Sequence, residues 1–509
     1  MKTVFLLFDS LNRHALSCYA PDAPRTRNFE RLAQRAVTFD RHFVGSLPCM
    51  PARRDIQSGR LNFLHRGWGP LEPFDHSIAS TLRDEGIVTH LVTDHYHYFE
   101  DGGFGYHGRY SSWEFIRGQE KDKWRAPIAA PIERFAARYS ERQHDFSTDI
   151  HGKLPYYLNR DHLEASGAFP LEQCFDAGCA FLDEHHGSDN WMLHLECFDP
   201  HEPFFAPERF LADRPELLSG RVFDWPSYGR VDDLAPALVD ELRARYRALV
   251  AACDEQLGRL LDAFDRHDMW RDTCLVLTTD HGLLLGEKQF LGKNRPPFYN
   301  EVAHIPLLVA APGVVPRRTS TLTQTVDLAP TLLELFGVPV PDGMTGRSLV
   351  PVLARDDPSR ADGGVLFGQF GAAINWTDGH HACFIYPRMP FEQDLYQYTL
   401  MPTHMRTFFE ASEFEGAELV RDLPFARGYP VLKLPLRSDA KANMTRRYPL
   451  LDARNVVFDL TNDPAQRAPI EDAALEARIH RRVAALLAKH DAPAELYGRY
   501  ALEPVRAAA

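Results

Sequence analysis

Residues 49–60 read CMPARRDIQSGR, and this stretch does more than any other to define the chain. It places Cys49 before a proline-containing turn, with Arg53, Arg54 and Arg60 close behind. Guanidinium groups stabilise an anionic nucleophile and bind oxyanions through planar forks. The pattern therefore indicates that Cys49 is a candidate nucleophile; the alternative is a buried cysteine beside surface arginines.

The overall composition is that of a large acidic globular protein. The chain has 509 residues, with 57 Lys and Arg against 70 Asp and Glu, which gives a formal net charge of −13. Hydrophobic residues make up 44% of it, enough apolar material to offset the entropy of an ordered chain. Because binding to a nucleic-acid backbone requires an excess of positive charge, the composition disfavours a general nucleic-acid partner.

The sequence also bears on location. No run approaches the roughly 18 apolar residues needed to span a bilayer, so we expect no membrane partner. The apolar run at residues 4–8 is too short for a convincing signal peptide and is typical of a buried strand. The eight cysteines are scattered without a C-x-x-C pair, which predicts neither a disulfide scaffold nor a zinc ribbon. We therefore expect a cytoplasmic protein.

Several short apolar runs end in polar or ionisable residues. Runs of this length, alternating with helical patterns, predict an α/β fold with a mostly parallel central sheet covered by helices on both faces. In such sheets ligands gather at the carboxyl ends of the strands, so we expect the site there. The runs lie at residues 4–8, 87–92, 191–195, 275–277 and 307–311.

The remaining patterns divide the chain in two. Apolar residues at three- and four-residue steps predict a long helix over 242–264. A polar stretch with Pro and Gly at 355–364 is a candidate boundary, and beyond it Asp378-Gly379 between two apolar runs predicts a β-hairpin. An amphipathic helix is predicted around 473–489. We therefore predict a catalytic domain at residues 1–360 and a smaller α+β unit with an antiparallel sheet at residues 361–509.

The stretch around Cys49 resembles the signature of the sulfatase family, C-x-P-x-R-x4-T-G-R, with Ser58 in place of the usual threonine. Other family motifs follow in family order along most of the chain. They are Asp9, Asp199-Pro200-His201-Glu202-Pro203-Phe204, Asp280-His281-Gly282, Leu291-Gly292-Lys293, Ile305-Pro306-Leu307, Val326-Asp327-Leu328-Ala329-Pro330-Thr331, Gly346-Arg347-Ser348-Leu349 and Phe458-Asp459-Leu460 with Asp463-Pro464. Each motif is unspecific by itself, but their joint occurrence in order implies the alkaline-phosphatase-like fold.

This resemblance implies a particular chemistry. In sulfatases the signature cysteine is oxidised by a formylglycine-generating enzyme, and the hydrated aldehyde is the nucleophile. Transferred to this chain, the modified Cys49 would attack the sulfur of a sulfate ester, and the second hydroxyl of the hydrate would later expel sulfate. Asp9 matches the family's first metal ligand, Asp280 and His281 match the second ligand pair, and Lys293 matches the lysine that contacts the substrate anion.

The residue types support a metal-assisted reaction on physical grounds as well. Asp9, Asp280 and His281 offer oxygen and nitrogen donors at strand ends, which suit one divalent cation together with the side chain of Cys49. The family's commonest ion is Ca²⁺, while the histidine favours Mn²⁺ and Mg²⁺ also fits. By itself an Asp-His dipeptide is more often a solvated turn, and the second carboxylate and Cys49 decide for a metal site.

Other polar side chains have candidate roles in the reaction. His201 could protonate the leaving group, because imidazole titrates near neutral pH; the alternative is a histidine held for packing by its flanking prolines. Arg53 and Lys293 could bind the developing charge on the transferred group. Together with Arg60, a further candidate for substrate binding, they would form a small positive niche for the anionic ester group in an acidic protein.

One departure from the family pattern concerns the metal ligands. Asp9 is followed by Ser10, where many sulfatases have a second aspartate, and His281 stands where many have asparagine. The Asp-His pair resembles the choline-sulfatase and phosphonate-monoester-hydrolase branches.

A second departure concerns substrate contacts. After the G-x-x-T segment at residues 86–89, many sulfatases have G-K-W-H, whereas this chain continues Thr93-Asp94-His95-Tyr96-His97 and lacks the lysine. The residues Asp94, His95, Tyr96 and His97 are therefore candidates for substrate binding. The alternative is that they are polar residues lining the rim.

The sequence thus predicts a sulfuric ester hydrolase that acts on a small-molecule or saccharide sulfate ester. The closest alternative is a phosphonate monoester or phosphodiester hydrolase using the same residues. A second alternative is a noncatalytic protein that retains the scaffold and binds sulfated ligands. The sequence names no particular substrate, and a homo-oligomer is possible.

Overall fold

The computed structural model describes residues 1–143, 153–293, 297–388, 395–436 and 454–504, apart from the side chains of residues 218 and 219. The strands in chain order are β1 (Lys2–Phe8), β2 (Val37–Phe43), β3 (Ser46–Leu47), β4 (Val88–Thr93), β5 (Ser112–Phe115), β6 (Trp191–Cys197), β7 (Gly229–Arg230), β8 (Thr273–Thr279), β9 (Leu284–Leu285), β10 (Phe290–Gly292), β11 (His304–Ile305), β12 (Leu307–Ala310), β13 (Arg317–Gln324), β14 (Val365–Gln369), β15 (Ile374–Thr377), β16 (His381–Ile385), β17 (Tyr396–Thr399), β18 (Glu418–Val420), β19 (Val431–Pro435) and β20 (Val456–Asp459).

The helices separate these strands along the chain. They are α1 (Arg27–Ala33), α2 (Cys49–Ser58), α3 (Ile78–Asp84), α4 (Ile132–Arg138), α5 (Leu154–Ser166), α6 (Pro170–His185), α7 (Glu216–Ser219), α8 (Pro236–Arg266), α9 (Asn300–Ala303), α10 (Leu328–Leu335), α11 (Val350–Ala354), α12 (Ala473–Lys489) and α13 (Glu495–Arg499). The long helix predicted over 242–264 is confirmed as part of α8, and the helix predicted around 473–489 is confirmed as α12.

The central sheet has nine strands in the order β11-β2-β12-β8-β1-β6-β4-β5, with β13 paired to β2. Strands β8, β1, β6, β4 and β5 are parallel neighbours, while β12 runs antiparallel to both β8 and β2. This confirms the predicted α/β fold with a mostly parallel sheet. All five apolar runs lie within or overlap strands of this sheet.

Both faces of the sheet are covered, which explains why its strands are continuously apolar. Successive side chains of a strand point to opposite faces. On β1, Val4, Leu6 and Phe8 belong to the hydrophobic cluster with α6 and α8, whereas Phe5 and Leu7 belong to the cluster with α3 and α10. The strand is therefore fixed from both sides, and so is the position of the residue that follows it.

The register brings the carboxyl ends of neighbouring strands to one edge. Phe8 at the end of β1 is paired with Cys197 of β6 and with Thr279 of β8. Thr93 at the end of β4 is paired with Glu196 of β6. Because these strands are parallel and in step, the residues that follow them meet at the same edge of the sheet, as the sequence predicts.

The C-terminal part contains a second sheet, in the order β20-β16-β15-β14-β3. The hairpin predicted at Asp378-Gly379 is confirmed by the antiparallel pair β15 and β16, and α12 packs its apolar face against Trp376 in the same cluster. Strand β3, which lies just before α2, pairs with β14: Ser46 is paired with Gly368 and Leu47 with Gln369. The second sheet therefore includes a strand from the first part of the chain. The domain boundary at residue 360 stays a prediction.

Among the described helices, none combines the length and the apolar character needed to cross a membrane. All eight cysteines are free thiols in the structure.

Candidate active site

Four predicted metal ligands converge at the carboxyl edge of the central sheet. Asp9 follows β1, Asp280 and His281 follow β8, and Cys49 is the first residue of α2. One ligand atom from each lies within 4.8 Å of the others, and all four side chains are buried. Residues far apart in sequence thus present two carboxylates, an imidazole and a sulfur to one point.

The orientation of His281 fits a metal ligand. Its Nδ1 is 3.0 Å from the carbonyl oxygen of Gly282 and so donates to it. The lone pair of a neutral imidazole is then on Nε2, which lies 3.3 Å from Cys49 Sγ and 3.3 Å from Asp280 Oδ2. A backbone acceptor on the other ring nitrogen is the usual support of a metal-bound histidine. The donor set therefore fits a divalent cation.

The position of Cys49 favours anion chemistry. It starts a ten-residue helix, whose N-terminus carries partial positive charge and unsatisfied backbone N–H groups. Burial, reinforced by Asp9, raises the pKa of the Cys49 thiol well above its usual value. A cysteine thiol in this position is therefore a poor nucleophile, because the thiolate is the reactive species.

Arg53 is the centre of a buried ionic cluster. Its Nη1 donates to Asp280 Oδ2 at 2.7 Å, its Nη2 lies 2.9 Å from Asp9 Oδ2, and its Nε donates to Glu196 Oε1 at 2.5 Å. Its Nη1 also donates to the carbonyl oxygen of Cys49 at 3.1 Å. One helical turn separates Arg53 from Cys49, so α2 delivers both the candidate nucleophile and a cation to the same site.

Ser10 takes the place of the second aspartate and is conformationally strained. Its φ is 61°, in the left-handed region that residues with a β-carbon rarely adopt. Hydrogen bonds hold it there: its N–H donates to Asp280 Oδ1 at 3.0 Å and its Oγ donates to Asp9 Oδ1 at 2.6 Å. The Oγ in turn accepts a bond from Lys293 Nζ at 2.7 Å. The serine therefore links Lys293 to both aspartates.

Lys293 and Arg53 set the charge of Asp9. Burial alone would raise the pKa of Asp9, but the two cations bring it well below its usual range. Asp9 is accordingly a carboxylate that can bind a cation. Lys293 Nζ lies 3.5 Å from Asp9 Oδ1 and is itself almost fully buried.

His201 lies on the loop that follows β6. Its Nδ1 donates to the carbonyl oxygen of Glu202, and its ring packs 4.1 Å from the ring of Phe198. Burial, with Lys293 next, lowers the pKa of His201 well below its usual value, and Asp9 opposes this shift. The bond at Nδ1 leaves Nε2 as the ring nitrogen available for proton transfer.

The four residues predicted for substrate binding after β4 diverge. His95 enters the cluster, with Nε2 3.4 Å from Asp9 Oδ2. Asp94 is buried against the loop after β6, where it accepts bonds from the N–H of Phe198 at 2.7 Å and from Gln119 Nε2 at 3.0 Å. Burial raises the pKa of Asp94 to about 7.

Tyr96 and His97 point into a neighbouring polar network. Tyr96 donates to Glu120 Oε2 at 2.5 Å and accepts a bond from Arg406 Nη2 at 2.9 Å. His97 Nδ1 lies 2.5 Å from Glu100 Oε2. These contacts are with side chains outside the four-donor cluster.

Arg60 is placed elsewhere. Its guanidinium donates to the carbonyl oxygen of Gly343 and to Asp491 Oδ2, the latter at 2.6 Å. Arg60 thus ties the end of α2 to the C-terminal part of the chain, and the positive side chains that meet at the cluster are Arg53 and Lys293.

Sequence reasoning missed two charged residues beside this cluster. Glu196 is the sixth residue of β6, and a carboxylate at the end of an otherwise apolar run was the available signal. Glu202 follows His201; it is buried, and its Oε2 has no hydrogen bond among the described residues.

Comparison with known proteins agrees with this geometry. The sulfatase family matches residues 2–338 of the chain. The choline-sulfatase of Rhizobium meliloti is 25% identical over 373 residues, which cover 69% of this chain and 71% of that protein.

Two solved structures share the fold. A protein in complex with its substrate, D-glucosamine-2-N,6-O-disulfate, superposes with a TM-score of 0.63 and 16% identity, covering 98% of both chains. The phosphonate monoester hydrolase of Agrobacterium radiobacter superposes with a TM-score of 0.59 and 19% identity, covering 96% of this chain and 95% of that one.

The matched region begins in β1, ends just after α10 and contains all four converging donors, Arg53, His201 and Lys293. The chain therefore belongs to the sulfatase family of sulfuric ester hydrolases.

Proposed function

We propose that this protein hydrolyses a sulfate monoester with a formylglycine derived from Cys49 and one divalent cation. The observation that carries the proposal is the convergence of Asp9, Cys49, Asp280 and His281 within 4.8 Å at the N-terminus of α2. The substrate class is a small-molecule or saccharide sulfate ester. A formylglycine-generating enzyme is the partner that the proposal requires.

The cation would be held by the two aspartates, His281 and the side chain of residue 49. When bound, it would polarise an ester oxygen and lower the pKa of the nucleophile. The donor set admits Ca²⁺, Mn²⁺ or Mg²⁺; we expect Ca²⁺ from the family and regard the imidazole as favouring Mn²⁺. Metal analysis of the purified protein, followed by reconstitution of the metal-free form with each ion, identifies it.

Formylglycine hydrate supplies two hydroxyl groups on one carbon, one to attack sulfur and one to release sulfate afterwards. Dividing one difficult step into two easier ones is the general advantage of covalent catalysis. The modified residue 49 would keep its place at the helix N-terminus, where backbone N–H groups favour the anionic sulfuryl group.

The other side chains provide charge and a proton. Lys293 and Arg53, which are both buried, would stabilise the charge that develops on the sulfuryl oxygens. His201 Nε2 would donate a proton to the leaving alcohol oxygen. A bound anionic ester raises the pKa of an adjacent imidazole, which offsets the lowering caused by burial.

Mass spectrometry of the peptide that contains Cys49 tests the nucleophile. After coexpression with a formylglycine-generating enzyme, we expect the aldehyde or its hydrate at residue 49. An unmodified cysteine in a protein that is active on an aryl sulfate would contradict the proposal.

A phosphonate monoester or phosphodiester hydrolase is the second candidate, and the Asp280-His281 pair favours it. This pair, in place of Asp-Asn, is the feature that resembles the phosphonate-monoester-hydrolase branch. A comparison of kcat/KM for an aryl sulfate, a phenyl phosphonate and an aryl phosphodiester decides between the two. Our proposal requires the sulfate to be preferred, and a preference for either phosphorus ester would assign the second function.

A further inference from the structure

The guanidinium of Arg53 contacts three carboxylates, two of which belong to the converging donor set and one of which does not. Nη1 and Nη2 contact Asp280 Oδ2 and Asp9 Oδ2, at 2.7 Å and 2.9 Å, and both aspartates belong to the converging donor set. Nε contacts Glu196 Oε1 at 2.5 Å, and Glu196 is outside that set. The guanidinium and a divalent cation would therefore compete for the aspartate oxygens, whereas Glu196 takes no part in this competition.

Glu196 is held rigidly in its place. It lies on β6 between Leu7 of β1 and Thr93 of β4, in the middle of the parallel part of the sheet. Its carboxylate is fully buried, with Thr93 Oγ1 3.5 Å from Oε2 and the Tyr98 hydroxyl as a second donor. A site residue on a packed strand with its own hydrogen bonds cannot follow a neighbour that moves, so it can anchor that neighbour.

The balance of charge shows what this anchor does. In their ionised forms, Asp9, Asp280 and Glu196 carry three negative charges against the two positive charges of Arg53 and Lys293. Without Glu196, the buried guanidinium has only the two aspartates as counter-charges. Because a buried charge without a partner is strongly unfavourable, Arg53 would then keep the aspartate oxygens that the cation needs.

We propose that Glu196 is a positioning residue that gives Arg53 a permanent partner and thereby releases Asp9 and Asp280 to bind the divalent cation. This inference rests on the metal site of the proposed function. It assigns to β6 a role in metal affinity, although β6 contributes no ligand to the donor set.

Calorimetric titration of the metal-free protein with CaCl₂, and separately with MnCl₂, tests the inference. We expect Glu196→Gln to raise the Kd of the cation about 10- to 100-fold, the range found when the supporting partners of metal ligands are removed. Glu196→Asp keeps the charge and should recover part of the affinity. The rise in Tm on adding saturating cation should shrink in the same order.

Glu72→Gln is the matched control. Glu72 is another buried glutamate beside a buried arginine, 3.8 Å from Arg66, and it lies outside the cluster. Its variant should bind the cation with the wild-type Kd. Equal losses in the Glu72 and Glu196 variants would overturn the inference, as would a wild-type Kd for Glu196→Gln.

A second variant covers the case in which Glu196→Gln does not fold. Tyr98→Phe removes one hydrogen bond from Glu196 and changes no charge, and we expect it to raise the Kd severalfold. An unchanged Kd would then overturn the inference. If the wild-type protein binds neither cation, the proposed metal site fails rather than the role of Glu196.

Discussion

Two buried ionic clusters in this protein differ in how completely their carboxylates are hydrogen-bonded. Strands β17, β19 and β18 form a separate three-stranded sheet. Beside it, both oxygens of Glu72 accept hydrogen bonds, from the Thr399 hydroxyl and from the Leu400 N–H. At the edge of the central sheet, Asp9 Oδ2 and both ring nitrogens of His95 lack a hydrogen bond of good geometry among the described residues.

The difference separates a structural ion pair from a candidate reaction site. Arg66, beside Glu72, donates to the backbone carbonyls of Met401 and Thr403, and although its Nε has no hydrogen bond among the described residues, these bonds fasten one loop. The cluster of Asp9 and Arg53 has an excess of carboxylates and spare bonding capacity. Since buried polar groups are normally satisfied, the spare capacity indicates a place for a cation and an anionic substrate.

Among the substitutions that test this difference, replacing Cys49 by alanine should cause the largest loss of activity. Loss of the nucleophile should lower kcat/KM for an aryl sulfate by at least about a thousandfold, as for other covalent catalysts. Cys274→Ala is the control, because Cys274 is an equally buried cysteine on β8. It should keep the wild-type kcat, and residual activity of Cys49→Ala near the wild-type level would contradict the role of Cys49.

Glu72→Gln should have the opposite effect, because it should lower the stability of the protein and leave its activity unchanged. Removing one charge of a buried pair leaves Arg66 uncompensated, and we expect the free energy of unfolding to fall by about 3 kcal/mol. Urea unfolding measures this loss, while kcat per folded molecule should stay unchanged. A more than tenfold fall in kcat would show that the two clusters are not separate.

Lys293→Ala should lower kcat per folded molecule. Removal of one preorganised donor to the developing charge typically costs about a hundredfold in kcat. Lys288→Ala is the control, because Lys288 Nζ bonds the carbonyl oxygen of Gln466 at 2.8 Å instead of the site. If both variants keep the wild-type kcat, Lys293 does not contact the reacting group.

Asp94→Asn should have the smallest effect, visible in the pH dependence of stability. Burial raises the pKa of Asp94 from 3.8 to about 7, so the folded state retains a proton that the unfolded state has lost between these values. The contribution of this group is fully present below pH 3.8 and is lost as the pH rises through about 7.

Urea unfolding across this pH range measures the effect. The Asn variant should show a flatter decline in the free energy of unfolding than the wild type. Asp84→Asn, at an exposed carboxylate, should leave the slope unchanged. An identical slope in Asp94→Asn and the wild type would mean that Asp94 does not titrate there.

The sequence predicted the central sheet because its strands are local and strongly patterned. Continuous apolar runs that end in Asp9, Asp94, Glu196 or Asp280 indicate buried parallel strands and the polar edge that follows them. The order of the strands is not a local property. The insertion of β6 between β1 and β4, which brings Glu196 to Arg53, follows from packing across nearly 200 residues.

The candidate site shows the same division. The sequence indicated a proline-containing turn after Cys49, whereas the structure has helix α2 there, with Cys49 and Arg53 one turn apart. The sequence also gave no sign that Arg60 would turn to Asp491. Likewise, the run of polar residues after β4 does not reveal that His95 enters the cluster while Tyr96 turns to Glu120. Adjacent side chains diverge because a short 3-10 turn follows β4 and sends them to different neighbours.

By itself, the sequence determined the fold class and predicted which residues carry the chemistry, since motif and periodicity are written in neighbouring positions. Only the tertiary structure decided which of the charged side chains lie close enough together to form one balance of charge. That balance is set by distances between Arg53, Asp9, Asp280 and Glu196, which come from four separate segments. Electrostatic interaction depends on separation in space and on burial, and neither is encoded by proximity along the chain.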